Sequence, residues 1–309
     1  TVGDAMLARI LAEADYNATV AACGLAGGFK LPTTVMPFIL RNVRLQGVDS
    51  VMCPVERRTQ AWNRLQTDLP AAALGEISQV ISLDQVPEYA EKIRYLSGCY
   101  QPNISSRPSL KNVDKKNYGF KDNEFIFASF GQSLKITKEM FSVWMGLLQK
   151  TPNSILWLLT SNNTCEHNLV SFAKDQFNIS KERIIFAKKI DFEEHIQRQQ
   201  IIDLFLDTFP YNAHTSTSDA LWAGCPVITL SGQTFASRVA GSILSEINCP
   251  ELITSTIEEY EKKAYDLATH PEKLKALKQK ILEMKEKSNL FKPKKFTRDL
   301  EDKFIELIN

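Results

Sequence analysis

The sequence predicts an α/β fold with a mostly parallel sheet, and three observations lead to this prediction. Short apolar runs of strand length recur along the chain and alternate with longer amphipathic segments of helix length. Glycines, prolines and Ser/Thr-rich loops separate these runs. The basic residues are unevenly distributed, because residues 1–91 hold one Lys and six Arg whereas residues 92–309 hold 24 Lys and six Arg. Strands separated by helices indicate a parallel sheet that is covered on both faces, and the uneven composition indicates two parts of different origin.

The first part, residues 1–90, has the alternation of a partial dinucleotide-binding α/β segment. Gly24, Gly27 and Gly28 follow an apolar run, but their spacing does not match the phosphate-binding turn G-x-G-x-x-G. The pattern therefore predicts the back half of such a fold without its phosphate turn. The predicted strands are 19–26, 43–51 and 79–85. Residues 34–42 are predicted to form a short helix or a turn, 55–69 a helix with Trp62 and Leu65 on one face, and 87–93 the beginning of a helix.

The second part, residues 91–309, alternates more regularly. Residues 101–122 are polar and irregular, and we interpret them as a linker. Thr137 is predicted to be the N-cap of the helix that follows the first strand. Ligands of parallel sheets bind outside the carboxyl ends of the strands, so we expect a site at that edge. The predicted strands are 124–130, 154–160, 183–188, 201–209 and 227–230, and the predicted helices are 137–150, 168–177, 193–200, 219–223, 235–247, 257–268, 271–288 and 297–308.

The stretch YNAHTSTSDALWAGCPVITLSG (211–232) carries the most information. It reads as a polar loop, a short helix that stops at Gly224, and a strand, all directly after an apolar strand. Ser216 and Asp219 have the spacing of a capping box. Hydroxyl and N–H groups at a helix start suit a phosphate group, but an ordinary capped helix has the same spacing.

Composition excludes several classes of function. The net charge of +1 gives no reason to expect a nucleic-acid or membrane partner, and no apolar run approaches the ~20 residues of a membrane-spanning helix. The six cysteines are scattered and form no zinc-binding pattern, so we expect a reduced, cytoplasmic setting and no metal. No signal peptide is visible in the sequence.

Most of the second part resembles the C-terminal catalytic half of O-GlcNAc transferases. The resemblance implies the C-terminal, Rossmann-like lobe of a two-lobed (GT-B type) glycosyltransferase that uses a UDP-sugar without a metal. UDP-GlcNAc is the implied donor, the implied acceptor is a protein Ser or Thr, and no cofactor is required. The matching stretches are EKIRYLSGCYQPN (91–103), FASFGQSLKIT (127–137), PNSILWLLTSN (152–162), RIIFAKKIDFEEHIQR (183–198), LDTFPYNAHTSTSDALWAGCPVITLSGQTFASRVAGSIL (206–244) and LFKPKKFTRDLE (290–301).

Residues 1–90 instead resemble the cofactor domain of medium-chain dehydrogenase/reductases, of the NADPH-dependent quinone/acrylyl-CoA reductase type. The resemblance is carried by residues 23–51, 56–70 and 81–93. The phosphate turn of that family would lie upstream of Thr1, so we expect no useful NADPH binding. A fusion between Glu88 and Ile93 explains both resemblances, and the alternative is a natural N-terminal lobe that has diverged.

The transferase resemblance implies a phosphate-binding set of residues. Lys135 matches the lysine that contacts the phosphate, and we expect it to stabilise the leaving group. Gln132 matches a glutamine near the same phosphate. His214, Thr215 and Ser216 match a diphosphate clamp at a helix start. On sequence alone Lys135 is also compatible with an ordinary solvated lysine.

The same resemblance implies a set that holds the sugar and the base. Asp219 is expected to accept a sugar or ribose hydroxyl, or else to act only as a first-turn acid on the helix dipole. His195 and Arg198 match residues that flank the uridine, although a lone His on a helix is also compatible with a surface or core-edge position. Ile190 occupies the backbone position expected to read the uracil. Two departures concern the pocket, since Phe192 stands where a lysine is common and Gly131 where many members have Asn.

Three functions follow from these resemblances. The first is a protein O-glycosyltransferase, reduced here to the UDP-sugar-binding half, because residues 1–98 contain no His whereas the first lobe of that family carries a histidine motif for the acceptor. The second is a catalytically inactive UDP-binding module. The third is a fragment of an NADPH-dependent quinone/acrylyl-CoA reductase. Protection of the fold by UDP or by NADPH distinguishes the third from the other two.

Overall fold

The chain divides into two compact units, Thr1–Lys92 and Ile93–Asn309. The computed structural model describes residues 3–25, 27–49, 53–68, 93–159 and 162–308. Within these ranges, no helix combines the length and the apolar character that a membrane crossing requires.

The N-terminal unit contains a two-stranded parallel sheet whose register pairs Thr19 with Arg44. Its first helix was not predicted, although Leu7 and Leu11 lie one turn apart on its buried face. The predicted strand 79–85 and the predicted helix from residue 87 to 92 lie outside the described residues. The observed elements are α1 (Asp4–Glu13), β1 (Thr19–Ala22), α2 (Met36–Arg41), β2 (Arg44–Gly47) and α3 (Val55–Asp68).

Both strands of the N-terminal unit are shorter than predicted, since they end at Ala22 and Gly47. Trp62 and Leu65, which were predicted to share a face of α3, are both exposed. The described core of this unit consists of the side chains Leu7, Leu11, Val20 and Val43.

The C-terminal unit is built on a six-stranded sheet in which every paired strand is parallel, and this confirms the predicted α/β fold class. The strand order is β5-β4-β3-β6-β7-β8, so β3 and β6 lie next to each other at the centre. The strands are β3 (Phe125–Ser129), β4 (Ser154–Leu159), β5 (Ile184–Ala187), β6 (Leu204–Leu206), β7 (Val227–Leu230) and β8 (Ile253–Thr254). The two-residue β8 was not predicted.

Helices follow the strands in the order that a parallel sheet requires. They are α4 (Lys138–Lys150), α5 (Asn163–Phe177), α6 (Phe192–Gln199), α7 (Thr215–Trp222), α8 (Val239–Glu246), α9 (Ile257–Thr269), α10 (Pro271–Lys287) and α11 (Pro293–Ile308).

Several helix boundaries differ from the predictions. Helix α5 begins five residues earlier than expected because the Asn162 side chain accepts a hydrogen bond from the N–H of Cys165 and caps it. The helix predicted over 235–247 is divided into a 3₁₀ turn, Phe235–Ser237, and α8. Thr137 caps α4 as predicted, since its hydroxyl accepts from the N–H of Met140.

Residues 101–122 are not a free linker. Phe120 is buried and packs edge-to-face on Trp157 of β4, with 4.8 Å between the ring centroids. Asn103 is also buried. The polar composition of this segment led to the wrong interpretation, because several of its polar groups, those of Gln101, Arg107 and Lys111 among them, hydrogen-bond to the lobe.

Candidate functional site

The loop between β6 and α7 is held by a buried carboxylate, that of Asp207. One oxygen, Oδ1, accepts hydrogen bonds from the N–H groups of Thr208 and Ala213, at 2.8 and 2.6 Å. The other, Oδ2, accepts from the hydroxyl of Thr229 on β7 at 2.6 Å. Burial raises the pKa of Asp207 to about 7, while the Thr229, Ala213 and Thr208 donors act in the opposite direction. Asp207 was not among the site residues predicted from the sequence.

Asn212 fixes the far side of this loop. Its amide nitrogen donates to the carbonyl oxygens of Thr208 and Leu230, at 2.9 and 3.2 Å. Its backbone N–H donates to the carbonyl oxygen of Ala236 at 2.9 Å. The loop is therefore tied both to itself and to the segment that follows β7.

Lys135 reaches this loop from the 3₁₀ turn Ser133–Lys135, which follows β3. Its ammonium donates to the carbonyl oxygen of Asn212 at 3.0 Å and lies 3.9 Å from the ring centroid of Tyr211. Burial lowers the pKa of Lys135, and the charge of Asp207 partly offsets this effect. An ammonium has three donors, and only the bond to Asn212 is made with the described residues. Lys135 is therefore a half-buried cation whose remaining N–H donors are available to a ligand.

The start of α7 lies at the end of the same loop. His214 is the N-cap residue, and its carbonyl oxygen accepts from the N–H groups of Thr217 and Ser218. The N–H groups of Thr215 and Ser216 make no hydrogen bond with the described part of the chain, as expected for a helix start. The predicted capping box of Ser216 and Asp219 is wrong, because Ser216 lies inside the helix and makes no cap.

The His214 ring stacks on Tyr211 at a centroid distance of 5.2 Å. Burial lowers the pKa of His214, the carbonyl of Ala236 raises it, and the charge of Lys135 lowers it further. Its Nε2 is buried and has no partner among the described residues. The predicted residues Lys135, His214, Thr215 and Ser216 thus surround one place, where two free N–H groups and a cation are available to an anion.

A second group of residues lies on α6. Arg198 is buried, donates to the carbonyl of Lys188 at 2.8 Å and to Nδ1 of His195 at 2.6 Å, and stacks on Phe130, with 4.8 Å to the ring centroid. Burial, and then the charge of Arg198, lowers the pKa of His195 to about 4. An arginine can only donate, so Nδ1 of the neutral imidazole accepts and Nε2 carries the proton. His195 is therefore a neutral donor held in one orientation.

The remaining predicted residues occupy more exposed positions. Gln132 is exposed at the start of the Lys135 turn, and Ile190 is half-buried just before α6. Phe192, at the start of α6, has 49% of its surface exposed. His167 and His270 lie at the surface, as the sequence indicated. Among the residues that the structure describes, no cluster of His, Cys, Asp and Glu could hold a metal ion.

Asp219 is paired with a residue that was not predicted from the sequence. Its Oδ1 accepts from the guanidinium of Arg107, in the segment that had been interpreted as a linker. In the same segment, the amide of Gln101 donates to the hydroxyl of Thr215 at 3.3 Å. Arg107 and Asp219 are 112 residues apart, so no local pattern signals this pairing.

Comparisons with known proteins agree with this fold and find resemblances to two different families. A probable UDP-N-acetylglucosamine–peptide N-acetylglucosaminyltransferase of Arabidopsis thaliana is 34% identical over 228 residues, which are 72% of this chain and 23% of the relative. A solved structure of an O-GlcNAc transferase mutant of Thermobaculum terrenum has a TM-score of 0.57 at 24% identity, covering 68% of this chain and 39% of that chain, and it supports the fold.

A separate segment matches another family, as the sequence indicated. A probable acrylyl-CoA reductase of Escherichia coli is 64% identical over 93 residues, which are 30% of this chain and 29% of the relative. The chain thus spans less than a third of the length of either of these two curated relatives. Residues 103–300 match the family model described as Glycosyl transferase family 41. The chain therefore belongs to glycosyl transferase family 41, and its N-terminal part carries a separate resemblance to acrylyl-CoA reductases.

Proposed function

We propose that residues 91–309 form the UDP-sugar-binding half of a protein O-glycosyltransferase, which transfers GlcNAc from UDP-GlcNAc to Ser or Thr of a protein. Residues 1–90 are then a partial dinucleotide-binding-like segment without a working NADPH site. The observation that carries the proposal is the half-buried ammonium of Lys135 beside the free N–H groups of Thr215 and Ser216.

The chemistry follows from charge. When the bond between the sugar and the diphosphate breaks, negative charge develops on the departing phosphate oxygens. Lys135 and the N-terminus of α7 neutralise that charge, and they act strongly because Lys135 is partly withdrawn from water. Gln132 contributes a side-chain amide to the same phosphate.

The base and ribose lie toward α6 in this proposal. His195 donates a hydrogen bond from Nε2 to an oxygen of the nucleoside, and Arg198 fixes the orientation of the imidazole ring through its bond to Nδ1. The backbone at Ile190 contacts the edge of the uracil. Because this contact uses no side chain, the side-chain differences from the family do not remove uracil recognition. Asp219 accepts a hydroxyl of the ribose or of the sugar.

The first test is a thermal-shift titration with UDP, with NADPH as a parallel ligand. At about 100 times Kd, UDP should stabilise the fold by about 2.7 kcal/mol and raise Tm by about 5–10 °C, and NADPH should not. No shift with UDP would contradict the proposal, and a shift with NADPH alone would favour the reductase.

The second test replaces the cation. Lys135→Ala should weaken UDP binding about 10- to 100-fold, because a hydrogen-bonded charge on the phosphate is lost. Lys138→Ala is the matched control, since Lys138 is exposed on α4 and should leave UDP affinity unchanged. Calorimetry measures both, and equal affinity in the Lys135 and Lys138 variants would remove Lys135 from the site.

A UDP-binding module without catalysis is the second candidate. It is favoured by the N-terminal part, where residues 1–98 contain no His and the match is to a reductase instead of a transferase. Release of GlcNAc from UDP-GlcNAc distinguishes the two functions. Sugar release that Lys135→Ala abolishes supports the transferase, whereas UDP binding without any release supports the module.

A further inference from the structure

The segment 99–111, here called the strap, is fastened along both helices that carry the proposed nucleotide-binding residues. On α6, the buried side chain of Gln197 accepts from the N–H of Lys111 and donates to the carbonyl of Ser109, both at 2.8 Å. On α7, the indole of Trp222 donates to the carbonyl of Pro108 at 2.9 Å. Gln101 contacts Thr215 in the first turn of α7. The strap therefore links the base side and the phosphate side of the proposed site.

Arg107 is the one charged residue of the strap whose side chain is almost fully buried, with 4% of its surface exposed. Its guanidinium makes three different contacts. One nitrogen donates to Oδ1 of Asp219, another donates to Oδ1 of Asn103 at 2.9 Å, and the planar group lies 5.2 Å from the ring centroid of Phe291. A lysine could not make all three contacts, because an ammonium has neither the fork nor the flat face.

The pairing with Arg107 leaves one carboxylate oxygen of Asp219 available to a ligand. The Arg107 bond uses Oδ1, and no hydrogen bond of the described residues reaches Oδ2. The Asp219 side chain is 10% exposed, so it is nearly but not completely covered. Asp219 lies four residues after Thr215 and therefore on the same face of α7 as the free helix start. Burial raises the pKa of Asp219, and the charge and hydrogen bond of Arg107 partly offset this effect.

We infer that Arg107 is a positioning residue of the nucleotide-sugar site, which acts through Asp219 by fixing its carboxylate to receive a hydroxyl of the bound ligand. The inference rests on the proposed function, since it requires a UDP-sugar at the start of α7. Arg107 itself touches no ligand. Its contribution is that the Asp219 carboxylate is oriented before the ligand arrives, so that no reorganisation accompanies binding.

The test measures hydroxyl preference by calorimetry with UDP, 2′-deoxy-UDP, 3′-deoxy-UDP and UDP-GlcNAc. The deoxy nucleotides report a ribose hydroxyl, and the ratio of UDP-GlcNAc to UDP reports a sugar hydroxyl. The wild-type protein should prefer one hydroxyl-bearing ligand by about 10-fold or more. Arg107→Met and Asp219→Asn should each reduce that preference to about 1. Because the two residues act as a pair, the double variant should lose no more of the hydroxyl preference than the single variants do.

Two further variants separate positioning from folding. Trp222→Phe removes another fastening of the strap and should keep the full hydroxyl preference. Arg107→Lys keeps the charge in case Arg107→Met does not fold, and its preference should fall to an intermediate value while Tm stays near that of the wild type. Full preference in a folded Arg107 variant, or equal loss in Trp222→Phe, would overturn the inference. Wild-type protein that binds none of the UDP ligands would overturn the proposed function as well, whereas UDP binding with unchanged preference overturns only the role of Arg107.

Discussion

At the scale of single residues, Asp207 holds together the loop on which the proposed site is built. Its carboxylate joins both ends of the loop 207–213 and ties that loop to Thr229 on the neighbouring strand. The hydroxyl of Tyr260, itself fully buried, donates to the backbone carbonyl of Asp207 at 3.0 Å. This loop fixes the position of the Asn212 carbonyl, which accepts the hydrogen bond from Lys135. It also fixes the position of the start of α7.

The buried state of Asp207 predicts a specific dependence of stability on pH. Its folded pKa of about 7 lies above the ordinary unfolded value. Between about pH 4 and about pH 7 the folded state holds a proton on Asp207 that the unfolded state has released. Binding of this proton stabilises the folded state fully at low pH, and the stabilisation is lost as pH rises through about 7. Relative to Asp207→Asn, the wild type should therefore lose about 2–3 kcal/mol of unfolding free energy between about pH 5 and about pH 8.

Urea unfolding of both proteins at several pH values measures this difference. Asn has nearly the same shape as Asp but does not titrate, so every other ionisable group contributes equally to the two curves. A difference that is constant across the range would show that Asp207 does not carry a raised pKa.

Residue identities at the site were predictable only where a pattern is local. The string HTSTSD indicated a polar helix start, and the resemblance implied that Lys135 and His195 belong to the site. The pairing of Arg107 with Asp219 joins residues 112 positions apart, and Asp207 looks in the sequence like an ordinary acid near the end of the predicted strand 201–209. Both are consequences of which elements the sheet brings together, and no local spacing encodes that.

At the scale of elements, the N-terminus of α4 is connected to the site loop. The Thr137 hydroxyl accepts from the N–H of Met140 as the helix cap and donates to the carbonyl of Phe209 at 3.3 Å. Helix α4 buries Met140, Phe141, Trp144, Met145, Leu147 and Leu148. One hydroxyl therefore joins a firmly packed helix to the loop that carries Asn212.

This double role predicts two measurable effects of Thr137→Val. Loss of the cap and of the loop bond should lower the unfolding free energy by about 1–2 kcal/mol. Loss of the loop bond should also weaken UDP binding about 2- to 10-fold. Thr256→Val is a matched control, because Thr256 caps α9 through the N–H of Glu259 and also hydrogen-bonds the Glu258 side chain, and neither partner belongs to the site loop.

The control should lose stability but keep its UDP affinity, and Thr137→Ser should behave like the wild type in both assays. Equal UDP affinity in the two Val variants would mean that the bond to Phe209 does not contribute to the site. Chemical denaturation and calorimetry supply the two measurements.

Elements were predictable in proportion to their length and regularity. The strands β3 to β7 were found because their apolar runs are four residues or longer or continue into apolar neighbours. The two-residue β8 carries too little pattern. Helix α7 was placed four residues late, because Thr215, Ser216 and Thr217 have low helix propensity and the sheet determines where the helix starts.

At the scale of the whole molecule, the two units differ in how much core each contains. The C-terminal unit has one contiguous core that includes the fully buried Trp144, Tyr260 and Phe127. The described core of the N-terminal unit has four members. Large apolar side chains in that unit are exposed, among them Phe29 at 85% and Ile39 at 70%. Because burial of apolar surface is the main source of stability, the N-terminal unit should be the weaker of the two.

This difference predicts the outcome of limited proteolysis. Cleavage should accumulate before about residue 93 and leave a resistant fragment that begins near the boundary between the units, since proteases cut segments that open at low free energy cost. UDP at saturation should slow cleavage of that fragment, and NADPH should slow cleavage nowhere. Mass spectrometry identifies the fragment, and calorimetry on the purified fragment should give the UDP affinity of the full chain, because every residue proposed for the site lies in Ile93–Asn309. A fragment that has lost UDP affinity would instead assign part of the binding energy to residues 1–92.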